Sequence, residues 1–118
     1  MKVPEHYVEY FENEEKGVVV CKLKNCFTVR KCAIDYLNKM GDWAIKDAFA
    51  AYSASVDENK QQKIGIAHLA DGDIWDSRTG RKVAKTKLET HVSNYFLKVL
   101  DSITNDALQV VTYFLTEV

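Results

Sequence analysis

Between Ser77 and Ile103 one apolar stripe recurs at helical spacing, running through Gly80, Val83, Ala84, Leu88, His91, Val92, Tyr95, Phe96, Val99, Leu100 and Ile103. Such a stripe turns one side of a helix of about seven turns toward a core. No other segment of the 118 residues is as long, so the remaining elements must be arranged to cover it. With 47% hydrophobic and 28% charged residues, the chain has the make-up of one compact domain over 1–118.

The covering elements are legible to different degrees. "VVVCKLK" places Val19, Cys21 and Leu23 on one side and lysines on the other, which predicts a half-buried strand over about 18–24. "TVRKCAIDYLNKMG" puts Val29, Cys32, Ala33, Tyr36, Leu37 and Met40 on one helical face, with Thr28 to cap its start and Gly41 its end, giving a helix over about 28–40. Tyr7, Tyr10 and Phe11 after Pro4 predict a short helix over about 4–13. Residues 42–56 carry both periods, and a helical piece giving way to a strand near Ala51 is expected. That strand, the polar turn "DENKQQ" and "KIGIAHLA" then make a hairpin over about 51–69.

After Ile103, Asn105 or Asp106 can cap a new helix over about 106–117, along which Ala107, Leu108, Val111, Phe114, Leu115 and Val118 share a face. Its β-branched content makes a strand the competing assignment. The fold class expected is α+β, a small antiparallel sheet packed by helices 28–40 and 77–104 with a C-terminal helix. Residues 105–118 carry enough apolar surface to cover the core, to form a homodimer, or both.

Charge and cysteine content narrow the function classes. A net charge of −1 gives no global field to recruit nucleic acid or an acidic membrane. No apolar run approaches the ~20 residues of a bilayer span, and the acidic opening "MKVPEHYVEYFENEE" is unlike a signal peptide, so no membrane partner and a cytoplasmic location in a bacterial host cell are expected. Cys21, Cys26 and Cys32 fit neither a disulfide framework nor the C-x2-C zinc pattern; reduced thiols follow.

"DGDIWDSRTGRKVAKTK", residues 71–87, is the richest chemical stretch. A calcium loop started at Asp71 would meet Trp75 at its fifth position, Asp76 where glycine is needed, and Lys82 in place of the bidentate glutamate. No metal site is read there. Asp76 instead suits the cap of the long helix, and Asp71, Gly72 and Asp73 the turn before it. Arg78, Arg81, Lys82, Lys85 and Lys87 follow without an acid among them, either as a solvated helix face or as a grip on phosphates near the helix N-terminus. His68 and His91 stand alone, and no nucleophile elbow, P-loop or dinucleotide fingerprint occurs, so no catalytic residue and no cofactor are assigned.

The stretch "GIAHLADGDIWDSRTGRKVAKTK" resembles a pattern in small phage and prophage accessory proteins. Gly65, Ile66 and Ala67 match its strand, Asp73, Trp75 and Asp76 its acidic turn, Thr79 and Gly80 its Thr-Gly pair, and Lys82, Val83, Ala84 and Lys87 its helix. That resemblance implies an origin in a mobile element. "RKVAK", residues 81–85, is similar to the helix motif of the double-stranded-RNA-binding domain, which implies phosphate contact by its cations.

These readings converge on a non-enzymatic phage-type protein that binds a macromolecule, inhibiting a host or defence protein, with Tyr7, Tyr10 and Trp75 as anchors. The alternative is nucleic-acid binding through Arg78, Arg81, Lys82, Lys85 and Lys87.

Overall fold

β2, Val18–Leu23, is the centre of the sheet in this computed structural model, which describes residues 1–41, 44–54 and 63–117. Its Val19, Cys21 and Leu23 are buried while Val18, Val20 and Lys22 stay half-exposed, as the alternation requires. β1, Val8–Asn13, pairs antiparallel along its first edge, with Tyr10 opposite Cys21 and Asn13 opposite Val18. β3, Ile64–His68, pairs antiparallel along the other, with Gly65 opposite Cys21. The order is β1-β2-β3.

The segment expected as a helix over 4–13 is therefore a single 3-10 turn, Glu5–Tyr7, followed by β1. Tyr7, Tyr10 and Phe11 do fit a helical period, but the open edge of β2 offers this segment a full ladder of hydrogen bonds, whereas an isolated ten-residue helix is marginal. The tight connection from β1 to β2 follows: the Asn13 side chain accepts from Lys16 N at 3.0 Å, and Gly17 adopts φ +64°, a conformation only glycine enters at little cost.

α1, Val29–Met40, begins where its cap was expected: Thr28 Oγ1 accepts from Lys31 N at 3.0 Å. α2, Ile45–Ser53, buries Phe49 and Ser53 and extends through Ala51–Ser53, so the strand expected near Ala51 does not form there. One turn of helix aligns Phe49 with Ser53 toward the core, where Arg30 donates to Ser53 Oγ at 2.8 Å and to the Ala50 carbonyl at 3.1 Å. A cation on the last carbonyls of α2 suits its negative end. Residues 55–62, including the expected turn, lie outside the described residues. The second half of the expected hairpin exists as β3, and its partner is β2.

α3, Ser77–Glu117, is one helix of 41 residues. The break expected at Asn105 or Asp106 is absent, and so is the competing strand over 106–117. Asp106, rather than capping a new helix, accepts from the Tyr52 hydroxyl at 2.6 Å, and no glycine or proline follows Gly80 to stop propagation. Its first half lies across the buried side of the sheet so closely that a Cβ on Gly65 would stand 2.0 Å from the Ala84 carbonyl oxygen. Ala84, Leu88, Val92, Tyr95 and Val99 are sealed in the core against Cys21, Val29, Ala33 and Phe49. Near Ile103 the other described elements run out, and among the described residues, which span 67 × 27 × 23 Å, the helix continues alone.

Candidate functional site

Two surfaces on α3 are candidates, its basic start and its projecting end. At the start, the aspartate and cation roles separate cleanly. Asp76 caps the helix, accepting from Arg78 N at 3.1 Å, from Thr79 N at 3.4 Å and from Thr79 Oγ1 at 2.8 Å; these bonds hold its carboxyl below the usual range. Among the described residues no group of three or more His, Cys, Asp or Glu is placed to hold a metal ion.

Three of the five cations are engaged within the fold. Arg81 Nε donates to Glu12 Oε1 at 2.7 Å and its guanidinium lies 4.9 Å from the Tyr10 ring centroid. Glu12 also accepts from the Ser77 hydroxyl, and the Arg81 and Ser77 bonds draw its carboxyl pKa down. Lys85 Nζ donates to Glu5 Oε1 at 2.7 Å, the main cause of the lowered Glu5 pKa. Lys87 Nζ donates to the Ile66 carbonyl at 2.9 Å. Only Arg78 and Lys82 form no ion pair or hydrogen bond through their side chains among the described residues, and they share a cleft of about 380 Å³ with Lys2, Glu5 and Glu89. Glu89 itself is buried, accepting from Val3 N at 2.7 Å, which ties the N-terminus to α3.

The three aromatic anchors are placed differently from one another. Tyr7 is 8% exposed, stacked on Phe27 at 4.0 Å, and its hydroxyl donates to Asp35 at 2.6 Å, which with burial pushes its pKa up to about 12. It is a core residue and presents no ring to a partner, a correction to the anchor role expected of it. Tyr10 is half-buried beneath Arg81, and its hydroxyl points to Glu5 at 3.2 Å; burial is the first cause of its raised pKa. Trp75 is half-buried and lines a cavity of about 430 Å³ with Val19, Leu69, Ile74, Gly80 and Val83, beside an Ile74 that is 90% exposed. The cap and turn chemistry of residues 71–76 thus holds an apolar recess at the mouth of the sheet.

At the other end of α3, Leu108, Val110, Val111, Phe114 and Leu115 are 52–68% exposed. Ala107 is exposed as well. They spread over one broad side of the helix, and the sheet and the two shorter helices end before they can cover it. Among the described residues, Tyr52 bonded to Asp106 marks the last tether. Between Asp101 and Glu117 the helix carries Asp101, Asp106 and Glu117 and no cation. No described helix is long and apolar enough to cross a membrane.

No protein-family model, no curated protein and no solved structure matches the chain.

Proposed function

We propose that this chain is a non-enzymatic binding protein that docks a protein partner through the projecting end of α3, as a phage-type accessory protein directed at a host or defence protein would. The observation that carries the reading is the row of five large apolar side chains, each more than half exposed, on a helix segment that no element among the described residues covers. Leaving such a row in water forfeits the burial that its pattern is built for, and a helix-in-groove or helix-on-helix contact recovers it.

Nucleic-acid binding is the second reading, and the observation in its favour is the cleft where Arg78, Lys82 and Lys2 meet. Acids beside that cleft oppose phosphate approach.

Capture from host lysate with the tagged full chain, with and without nuclease, tests both. The first reading expects a nuclease-resistant protein partner that disappears when Val110→Asp and Phe114→Asp are combined. A partner lost on nuclease treatment and on Lys82→Glu, yet kept by the Asp double variant, would overturn it in favour of the second.

A further inference from the structure

The recess beside Trp75 is built by what its walls lack. Gly17, Ala67, Ala70 and Gly80 line it, each with a methyl group or less, so the turn before β2, the end of β3 and the first turn of α3 meet around a gap of about 430 Å³. A small ligand typically needs roughly 300–1,000 Å³. Trp75 is half-buried in the wall, and the apolar lining continues to the rim, where Val83 is exposed and Ile74 almost wholly so.

The charge around the recess has one sign. Asp73 and Asp76 belong to its lining, which contains no lysine or arginine. The two segments that frame it, 14–17 and 68–76, carry Glu14, Glu15, Asp71, Asp73 and Asp76 against Lys16 alone, in a chain whose net charge is −1. The positive end of α3 borders the recess too, but Asp76 already accepts from the N–H groups of Arg78 and Thr79 and offsets its pull on an anion. Asp73 is exposed, and its carboxylate forms no hydrogen bond or ion pair among the described residues; only its backbone N–H is used, donating to the Ala70 carbonyl at 3.1 Å.

We propose that this recess binds a small organic ammonium ion with an aromatic body, the body against Trp75 and Val83 and the ammonium held at the rim by Asp73. An apolar wall with acids around its mouth concentrates cations there, and an indole ring attracts a cation over its face. An anion would meet the acids without a lysine or arginine in the lining to offset them, and a neutral ligand would leave the Asp73 carboxylate unused. The site lies at the opposite end of α3 from the apolar row at 108–115, and residues 55–62 lead into the far end of β3, at Ile64. It therefore stands apart from whatever the projecting end of α3 docks.

The probe is 2-phenylethylammonium, titrated at low salt and about pH 7.5, where histidine is ordinarily neutral, into the ¹⁵N-labelled full chain and followed by NMR. The expected Kd is on the order of 1 mM. Signals of Leu69, Gly80 and the Trp75 indole N–H should shift, and those of residues 108–115 should not. The neutral 2-phenylethanol, of nearly the same shape, should bind about fivefold more weakly, and phenylacetate more weakly still. Asp73→Asn should weaken amine binding about threefold and leave the alcohol unchanged, a difference that loss of fold would not produce. No binding up to about 20 mM overturns the proposal. So do amine-induced shifts away from the recess, an alcohol or phenylacetate that binds as tightly as the amine, or an amine preference that survives Asp73→Asn. An amine that displaces a protein captured by the full chain overturns the free ligand in favour of a basic side chain of that protein.

Discussion

Substituting Gly65 by alanine tests the joint on which the projecting helix is seated. The added Cβ would lie 2.0 Å from the Ala84 carbonyl oxygen, 2.6 Å from Leu88 N and 3.1 Å from the Ala84 carbonyl carbon. All three are backbone atoms of α3, so no rotamer change can absorb the clash, and strand and helix must separate by roughly 1 Å. That separation opens the layer holding Cys21, Ala84 and Leu88, each with no measurable exposure, and loosens van der Waals contacts that are close to optimal. Overpacking typically costs about 1–3 kcal/mol, and a backbone-on-backbone contact belongs at about the top of that range. With a urea dependence of about 2 kcal/mol per M, the unfolding midpoint should fall by about 1–2 M, followed by far-UV circular dichroism. The control is Gly72→Ala: nothing lies within 4 Å of its Cβ, and only the positive φ of +87° is penalised, by about 1 kcal/mol. A Gly65→Ala midpoint within about 0.3 M of wild type would refute the claim that α3 lies directly on β3.

Further outcomes can be stated briefly. Gly80→Ala meets Val19 Cγ2 at 2.6 Å but gains roughly 1 kcal/mol of helix propensity, so its loss in the same urea titration should be smaller than that of Gly65→Ala. Glu5, Glu12 and Asp76 have folded pKa values below their unfolded ones, so their stabilisation is present above about pH 4 and is lost as pH falls through the lowered values; melting temperature should drop on acidification, and less so in a Glu5→Gln, Glu12→Gln variant. Burial pushes the Cys21 and Cys32 thiols up to about 11, whereas Cys26 is exposed, so a thiol reagent at neutral pH should label one cysteine per folded chain and all three in denaturant. If nucleic acid binds the basic run, its two uncommitted cations predict a log-log salt slope of about −2, and a slope of about −4.5 would mean that the other three leave their internal partners.

The helix of residues 28–40 was legible because its evidence is local: a threonine that bonds three residues ahead, a glycine at the end, and apolar positions on one face. Asp76 as a cap was legible for the same reason. The roles of the cations were not. Arg81 meets an acid 69 residues away and Lys85 one 80 residues away, so the basic run looked free in sequence while β1 and the N-terminal turn had already engaged two of its members. Tyr7 and Tyr10 misled in the same way, because helical spacing was satisfied by a segment that gains more hydrogen bonds as an edge strand.

By itself, then, the sequence determined that a long amphipathic helix exists, that β2 alternates, and that residues 108–115 carry more apolar surface than an ordinary helix end. All three are properties of near neighbours in the chain. Tertiary structure alone decided that β3 pairs with β2, that α3 passes unbroken through Asp106, and that its last turns stand clear of the core. Those outcomes depend on where the sheet ends relative to the helix, a competition between burial and reach that no local pattern records.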